Sequence, residues 1–163
     1  MVKPSSLGDV VHTLPAVASL RRAVPDATID WLVNTEWAPL LGAENFVDEV
    51  IPFPRKELKG VRGLLGAKRW AAETFASREY DLAIDFQGLL RSALLSKLSG
   101  ARRLHGFARA REKAHCLYHS KIVVPSFATL HAIDRYRLLV DALEVDTQDV
   151  TFPLPAGESV AIP

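Results

Sequence analysis

Short β-like runs alternate along this chain with segments in which apolar residues recur at helical spacing, and this alternation limits the possible folds more than any other feature. Five runs rich in β-branched, aromatic and apolar residues predict strands at 28–33, 47–53, 80–86, 101–107 and 121–124. Apolar residues three or four positions apart predict helices from Val10 to Leu20, Leu89 to Leu98 and Ile133 to Leu143. Alternating strands and helices build βαβ units, so we predict an α/β fold with a doubly wound, Rossmann-like parallel sheet.

Size and composition fit an ordinary globular domain. The chain has 163 residues, of which 48% are hydrophobic and 24% charged, and its net charge of +1 gives no general attraction to nucleic acid. No stretch approaches the roughly 20 consecutive apolar residues of a membrane-spanning helix. Pro4 to Asp9 interrupts any secretory signal, and Cys116 has no second cysteine with which to form a disulfide. We therefore expect a cytoplasmic protein with at most peripheral membrane contact, and no partner nucleic acid.

The two ends of the chain suggest that the fold continues beyond them. Met1 to Lys3 can form only the tail of the first strand that such a fold normally has. Phe152 to Glu158 is typical of an inter-domain linker because two prolines and a glycine interrupt it. We expect residues 1–150 to form one domain and residues 151–163 to begin a linker, with a further domain absent from this chain.

The loop that joins this first strand to the first helix carries the best candidate site. In open α/β sheets, ligands bind where strands lead into helices, because backbone N–H groups and the helix dipole converge there. Gly8 permits a tight turn, and the hydroxyls of Ser5 and Ser6 can hold a polar ligand. The loop lacks the glycines of a dinucleotide fingerprint and the Gly-Lys-Ser/Thr of a P-loop. A nicotinamide enzyme or a P-loop enzyme is thus not indicated.

Asp9, at the start of the predicted helix, has two interpretations. It can be an N-cap that stabilises the helix by about 1 kcal/mol. It can also be a general base, which the helix N-terminus keeps ionised and therefore intrinsically weak. A weak base suffices where proton removal is late, as when a sugar hydroxyl attacks an anomeric carbon.

Three segments resemble one enzyme family. Residues 3–16, KPSSLGDVVHTLPA, resemble the opening of the lipopolysaccharide heptosyltransferases that add the first heptose, which belong to glycosyltransferase family 9. Residues 80–89, YDLAIDFQGL, with the following Arg91 and Ser92, are similar to the central strand and loop of that family. Residues 131–136, HAIDRY, are similar to its late helix. The resemblance covers about residues 2–145.

The resemblance implies the N-terminal half of a GT-B glycosyltransferase with two Rossmann-like domains. That half would bind the acceptor, a lipid A that carries Kdo sugars, while a C-terminal domain would bind ADP-heptose. The aspartate that matches Asp9 would deprotonate a Kdo hydroxyl, which would displace ADP with inversion. Such an enzyme works at the inner face of the inner membrane and needs neither metal nor cofactor. Without the donor domain, we do not expect this chain to transfer heptose by itself.

A basic segment follows the second predicted strand. From Arg55 to Arg69 the sequence has six basic residues and one acidic residue, with glycines at 60, 63 and 66 that predict mobility. It can be a solvated, flexible linker. Alternatively, Lys56, Lys59 and Arg62 can bind the phosphates and carboxylates of an acidic acceptor, or an anionic membrane surface.

Further candidates follow the later strands. Gln87 can hydrogen-bond a sugar, and Arg91 can pair with Asp85 or with a carboxylate. Asp85 has an equally good interpretation as a capping or structural residue. Arg111, with Arg109 in a second basic loop, matches a family arginine near the acceptor.

The histidines show no zinc-type spacing, although His12 lies one helical turn after Asp9 and can hydrogen-bond with it.

Three other functions remain open. The chain can be a non-catalytic fragment that binds an acidic glycolipid, or a related heptosyltransferase with a different acceptor. A stand-alone nucleotide-binding domain would instead predict tight ADP binding by the loop from Ser5 to Asp9.

Overall fold

A computed structural model of the chain describes residues 1–41, 46–56 and 60–155. Helices and strands alternate through these residues in the order α1 Leu7–Ala23, β1 Asp30–Asn34, β2 Glu49–Phe53, α2 Gly60–Phe75, β3 Leu82–Asp85, α3 Leu90–Leu98, β4 Arg103–Phe107, β5 Ser120–Ile122 and α4 Ala132–Asp141. Short 3-10 segments cover Thr35–Leu40 and Arg111–Leu117. All five predicted strands and three predicted helices are present, within a few residues of their expected bounds.

The first residues join the strands into one parallel sheet. β1 pairs with β2, and β4 lies between β3 and β5, in every case in parallel. Val2 forms parallel bridges to Leu32 of β1 and to Asp85 of β3, so the segment from Met1 to Lys3 fills the central position. The sheet order is therefore β2, β1, the first residues, β3, β4, β5, which is the strand order characteristic of Rossmann folds. Val2 thus occupies the place predicted for the first strand, through isolated bridges rather than a regular strand.

Helices cover both faces of this sheet, which makes it doubly wound. Alternate residues of a strand point to opposite faces, and β1 shows the consequence. Trp31 and Val33 pack with α1, while Leu32 packs against α2 and α3 on the other face. Residues of α1 and α4 share a further cluster with Phe86 of the loop after β3 and Phe107 of β4. The sheet is buried between two helical layers, and its strand ends remain open for ligands.

The basic segment after β2 is a helix from Gly60 onward, which contradicts the expectation of a mobile, glycine-spaced linker. Its apolar side explains the difference, because Ala71 and Phe75 are buried and Trp70 packs edge-to-face against Phe53 of β2. Burial of large apolar side chains outweighs the low helix propensity of glycine. Arg62 lies in this helix, whereas Lys59 lies outside the described residues.

Between α4 and residue 155, the structure has no further helix or strand. Val145 and Thr147 are buried, so the chain stays packed against the domain for several residues after the helix. Residues 151–155 have neither helix nor strand, and the remainder of the predicted linker, residues 156–163, lies outside the described part. Among the described residues, no helix is long and apolar enough to cross a membrane.

Candidate functional site

A cleft of about 520 Å³ opens at the carboxyl edge of the sheet. It lies where the central first segment meets β3, the point at which the order of strands reverses and where ligands of this fold class bind. The lining residues come from the first loop, the loop after β3, the loop after β4 and helix α4; they are Lys3, Asp9, Phe86, Gln87, Gly88, Leu89, Phe107, Arg109, Ala110, Arg111, Phe127, Arg135 and Tyr136.

Asp9 enters this cleft from the first turn of α1. The N-cap of the helix is Ser6, and Asp9 is the third helical residue, so the interpretation of Asp9 as the N-cap itself is wrong. Its Oδ2 atom accepts hydrogen bonds from the backbone N–H and the hydroxyl of Ser6, each at 3.2 Å. This is the reciprocal half of a capping box. It orients the carboxylate and still leaves the side chain 37% exposed.

Two groups distant in the sequence complete the surroundings of the carboxylate. The hydroxyl of Tyr136 donates to Asp9 Oδ1 at 3.2 Å. The ammonium of Lys3, whose side chain is only 2% exposed, lies 3.8 Å from Asp9 Oδ2. The same ammonium donates to the carbonyl of Phe86 at 3.4 Å and lies 4.8 Å from the centre of the Tyr136 ring. Asp9 therefore faces the cleft with its inner side held by three residues.

These contacts keep Asp9 ionised. Burial by itself would raise the pKa of the carboxyl, but the charge of Lys3 and the hydrogen bonds from Ser6 and Tyr136 outweigh burial and hold the pKa below its usual value of 3.8. The carboxylate is thus a ready proton acceptor throughout the neutral range.

The environment has the opposite effect on Lys3. Burial lowers the pKa of its ammonium from 10.5 to about 8, although the charges of Asp9 and Asp85 act to raise it. Near neutral pH, Lys3 remains a cation beside Asp9. It loses that charge within the mildly alkaline range.

The structure shows which contacts Ser5 of the first loop makes and places Gly8 inside a helix. The backbone N–H of Ser5 donates to Gln87 Oε1 at 3.1 Å, and Ser5 Oγ accepts from Arg55 at 3.3 Å. Gly8 lies inside α1, and a Cβ added to it would meet nothing within 4 Å. The expected tight turn at Gly8 is therefore wrong, and the open space above it leaves the helix backbone accessible.

A buried carboxylate shapes the floor of the cleft. Asp85 accepts from the N–H groups of Gln87 and Gly88 at 2.9 and 3.1 Å. It also accepts from the hydroxyls of Ser92 and Tyr118 at 2.8 and 2.6 Å. Burial raises the pKa of Asp85, and the hydrogen bonds from the four donors lower it by a smaller amount. Asp85 does not line the cleft, so it is a structural residue. The alternative that it pairs with Arg91 is wrong, because its four hydrogen-bond donors are other groups.

The backbone turns at Gly88, in the loop that forms the floor of the cleft, and this turn requires a glycine. Its φ of +67° lies in the left-handed region that favours glycine. Its carbonyl accepts the backbone N–H of Arg111 at 2.9 Å, which ties the loop after β3 to the loop after β4. The predicted sugar-binding residue, Gln87, lies beside it and lines the cleft.

Cations dominate the far wall of the cleft. The predicted Arg111 lines it together with Arg109, both exposed, and Arg135 of α4 adds a third guanidinium. Arg135 lies 5.4 Å from the ring centre of Phe127. With Lys3, these residues give four positive charges against the one carboxylate of Asp9. The cleft is suited to an anionic ligand.

A smaller cavity of about 280 Å³ borders the cleft at Gln87 and Leu89. Its lining residues are Pro4, Ser5, Asn34, Phe53, Arg55, Gln87, Leu89, Arg91, Ser92 and Glu112. Arg91, a predicted binding residue, lines this cavity rather than the cleft of Asp9. Lys56 lines neither of the two cavities and forms an ion pair with Glu36 at 2.9 Å.

Three residues of this region were not identified from the sequence as separate site residues. Lys3 was part of the opening motif only, Tyr136 appeared as one member of an apolar stripe, and nothing singled out Asn34. The sequence gives only a weak indication of the contact between Lys3 and Asp9. A lysine just before a strand-to-helix loop has its ammonium near the carboxyl edge of the sheet.

The predicted hydrogen bond between His12 and Asp9 is absent from the described residues. His12 instead packs edge-to-face on His131, with 5.1 Å between the ring centres. Within the described residues, no group of three or more His, Cys, Asp or Glu side chains could hold a metal ion.

The arrangement can remove a proton from a hydroxyl group of an anionic molecule. Asp9 supplies the proton acceptor, Tyr136 and Ser6 hold it in place, and the arginines can bind acidic groups away from the reacting atom. The described residues that line the cleft include no cysteine or serine that could act as a nucleophile.

Comparison with known proteins identifies a family with matching features. The model of glycosyltransferase family 9, the heptosyltransferases, matches residues 68–159. Lipopolysaccharide heptosyltransferase 1 of Pseudomonas aeruginosa is 34% identical over 160 residues, which cover 95% of this chain and 43% of that protein. The chain thus spans less than half the length of this relative.

Solved structures agree on the fold. The heptosyltransferase WaaC of E. coli, solved with ADP-2-deoxy-2-fluoro heptose, is similar with a TM-score of 0.77 and 31% identity over 93% of this chain and 50% of that one. The ADP-heptose lps heptosyltransferase II of E. coli, at 23% identity and a TM-score of 0.72, covers 96% of this chain and 46% of its own and shows the fold alone. The predicted Rossmann-like half of a GT-B glycosyltransferase is confirmed.

Proposed function

This chain belongs to glycosyltransferase family 9, the heptosyltransferases, and from that premise we propose that it forms the acceptor-binding half of an enzyme of lipopolysaccharide inner-core synthesis. The reaction transfers heptose from ADP-heptose to a Kdo sugar of Kdo–lipid A. Residues 1–150 bind the acceptor, residues 151–163 begin a linker, and a C-terminal domain binds most of the donor. The structure of WaaC with an ADP-heptose analogue supports the choice of donor.

The observation that carries this proposal is the position of Asp9. An ionised carboxylate at the switch point of the sheet faces a cleft of about 520 Å³, with Lys3 and Tyr136 on its inner side. A general base must lie within hydrogen-bond reach of the proton that it removes. An acceptor hydroxyl in the cleft can approach the exposed side of Asp9.

The proposed transfer is a single inverting displacement. The acceptor oxygen forms a bond to the anomeric carbon of heptose while the bond from that carbon to the ADP oxygen breaks. The hydroxyl proton passes to Asp9, and ADP leaves with the bonding electrons. The logic is that of an inverting glycosidase in which a sugar hydroxyl replaces water. Lys3 and Tyr136 position the carboxylate and are not themselves reactants.

The remaining polar groups bind the acceptor. Arg111, with Arg109 and Arg135, provides cations for carboxylates and phosphates, and guanidinium groups bind such anions in a bidentate manner. Gln87 and the first loop, including Ser5, Ser6 and the backbone at Gly8, offer hydrogen bonds to sugar hydroxyls.

The basic side chains after β2 act at the membrane end of the acceptor. Lys56, Lys59 and Arg62 contact lipid A phosphates or the anionic inner face of the inner membrane, where each basic residue contributes about 1 kcal/mol. We therefore propose that the enzyme lies peripherally on the cytoplasmic side of that membrane.

A second candidate function is acceptor binding without catalysis. The cations that line the cleft, Lys3, Arg109, Arg111 and Arg135, can hold an acidic glycolipid whether or not Asp9 removes a proton, which is the observation in its favour. A related heptosyltransferase with another acceptor would share the same base and cations.

Calorimetric titration of this chain with deacylated Kdo–lipid A, and separately with ADP-heptose, tests the proposal. We expect the acidic glycolipid to bind and the nucleotide sugar to bind weakly or not at all. Binding of the nucleotide sugar alone would reverse the assignment of the two halves. Binding of neither ligand would remove the acceptor site from this chain.

A further inference from the structure

Phe127 places an aromatic side chain in the wall of a cleft whose charge is mainly positive. It lies between β5 and α4, in a short turn that Ser126 holds together. The carbonyl of Ser126 accepts from the backbone N–H of Leu130 and its hydroxyl accepts from that of Thr129, each at 3.2 Å. Other residues make these hydrogen bonds, so the turn gives no reason for an aromatic residue at position 127. The residue also remains 37% exposed.

The core of the protein holds the Phe127 ring in one orientation. The ring packs edge-to-face on Phe107, with 5.5 Å between the ring centres and 78° between the planes, which is a favoured arrangement of aromatic pairs. Phe107 is buried, and its ring centre lies 6.4 Å from that of Tyr136, the residue that donates to Asp9. Phe127 is thus attached to the same packed aromatic side chains that orient the proposed base.

The contact that Phe127 makes on the cleft side is with Arg135. The guanidinium carbon of Arg135 lies 5.4 Å from the centre of the Phe127 ring, within the roughly 6 Å over which a ring attracts a cation. Among the described residues, no carboxylate or carbonyl group holds this guanidinium, and its buried Nε has no hydrogen-bond partner. The aromatic contact is therefore what restrains the guanidinium, and its terminal N–H groups are left for a ligand.

The position of this guanidinium affects the rest of the cleft. Burial is the main reason that the pKa of Lys3 falls to about 8, and the positive charge of Arg135 adds to this fall. Arg135 therefore lies close enough to act on the pair of Lys3 and Asp9. A long arginine side chain also loses conformational entropy when a ligand immobilises it, and a side chain that is held beforehand loses less.

We infer that Phe127 is a positioning residue, whose ring holds the guanidinium of Arg135 in the cleft wall, where it binds an acidic group of the acceptor. The face of the ring attracts the cation, and the edge-to-face contact with Phe107 keeps that face directed at it. Phe127 acts through Arg135 and takes no part in the reaction. The inference rests on the proposed function, because it takes Arg135 to bind an anionic acceptor.

Calorimetric titration of the 163-residue chain with deacylated Kdo–lipid A tests this role. Phe127→Leu keeps an apolar side chain but removes the aromatic face, so affinity should fall at least about threefold. Phe127→Tyr keeps the ring and should retain the affinity of the wild type. Phe152→Leu is the matched control, because Phe152 is 41% exposed and lines neither the cleft nor the smaller cavity. It should leave affinity unchanged.

Two further measurements separate positioning from packing. In an Arg135→Gln background, Phe127→Leu should cause no further loss of affinity, because the ring acts only through the guanidinium. NMR relaxation of the Arg135 Nε–H group, assigned by its disappearance in Arg135→Gln, reports the mobility of the side chain without any ligand. This group should be rigid in the wild type and in Phe127→Tyr, and mobile in Phe127→Leu.

Contrary results would overturn the inference in distinguishable ways. Failure of the wild-type protein to bind contradicts the proposed function, and the relaxation measurement then decides by itself whether the ring holds the guanidinium. If the wild type binds, equal affinity in Phe127→Leu overturns the positioning role alone. An equally large loss in the Arg135→Gln background would make Phe127 a direct contact or a packing residue. Unchanged mobility of Arg135 in Phe127→Leu would also overturn the inference.

Discussion

The hydroxyl of Tyr136 donates a hydrogen bond to Asp9 Oδ1 across 127 positions of sequence. Tyr136 lies in α4 and Asp9 in the first turn of α1, and the two helices pack side by side on one face of the sheet. The Tyr136 ring is fixed by an edge-to-face contact with Phe86 at 6.0 Å. A rigid aromatic side chain thus sets the orientation of the proposed base.

Removal of this hydroxyl should raise the pKa of Asp9. In Tyr136→Phe the ring keeps its packing, so we expect a stability loss of no more than about 2 kcal/mol for the lost hydrogen bond. The carboxyl loses one of the interactions that lower its pKa. A ¹³C NMR titration of the Asp9 carboxyl measures the change. Tyr80→Phe, which removes a hydroxyl bound to Asp30, is the control and should leave Asp9 unaffected.

Asp9→Asn should abolish most turnover without loss of fold. A chimera in which this chain replaces the matching residues of the Pseudomonas aeruginosa relative allows turnover to be measured. Loss of the base should lower kcat at least about 10²-fold, the lower end of the contribution of a general base. Acceptor affinity should change much less, because the arginines remain. If kcat stayed within a few-fold of the parent chimera, Asp9 would be a capping residue only.

Lys3 should give the protein a pH-dependent stability. The pKa of its ammonium is about 8 in the folded protein, whereas the ordinary value of 10.5 applies to the unfolded chain. Between these two pH values, the unfolded chain holds a proton that the folded chain has released. The free energy of unfolding therefore rises with pH across this window. Below the window, the folded protein must bury a charged ammonium, which lowers its stability. Lys3→Met should lose this rise. Urea denaturation at about pH 8 and about pH 10 measures it, because the buried Met1 amine, whose pKa is lowered from 8.0 to about 6, titrates mainly below this range. The exposed Lys97→Met is the control, and a rise of unchanged size in Lys3→Met would disprove the assignment.

The loss of charge of Lys3 with rising pH should also affect binding of the acidic acceptor. Below about pH 8, Lys3 adds a positive charge to the cleft, and above it that charge disappears. Affinity for deacylated Kdo–lipid A should therefore decrease as the pH rises through this value in the wild type, and should lose this dependence in Lys3→Met. Calorimetric titrations at several pH values give the comparison.

Two glycine substitutions should have opposite effects. A Cβ on Gly106 would lie 2.5 Å from the Tyr118 ring, so Gly106→Ala should destabilise by about 1–3 kcal/mol through overpacking. A Cβ on Gly8 would meet nothing, and Gly8→Ala should stabilise α1 by about 0.5–1 kcal/mol. Thermal and chemical denaturation measure both changes. Weaker acceptor binding by Gly8→Ala would show that the ligand approaches this backbone.

Asp85→Ala should be among the most damaging single changes in the cleft floor. It leaves the hydroxyls of Ser92 and Tyr118 and two backbone N–H groups without their acceptor, at a cost of about 3 kcal/mol or more. Asp81→Ala is the matched control, because this carboxylate is 88% exposed and its ion pair with Arg102 contributes less than about 1 kcal/mol. Equal losses in free energy of unfolding would refute the structural role of Asp85.

The basic segment after β2 shows why local signals are insufficient. Three glycines and six cations predicted a mobile linker, yet Gly60–Phe75 is a helix. Its position depends on Trp70, Ala71 and Phe75, which pack against Phe53 and the sheet. The glycines lower the helix propensity of this segment, but the free energy gained by burying its apolar side chains is larger than this cost. The roles of Lys56, Lys59 and Arg62 stay predictions.

The sequence alone determined the features that depend on local pattern. The alternation of apolar runs specified the parallel sheet and its helices, because residues two apart share a face of a strand and residues three or four apart share a face of a helix. It also brought Asp9 to the carboxyl edge, since the loop before α1 must lie there. Only the tertiary structure brought Tyr136 and Lys3 to Asp9. Those relationships depend on how distant segments pack, and side-chain burial and hydrogen bonding between them leave no periodic trace in the sequence.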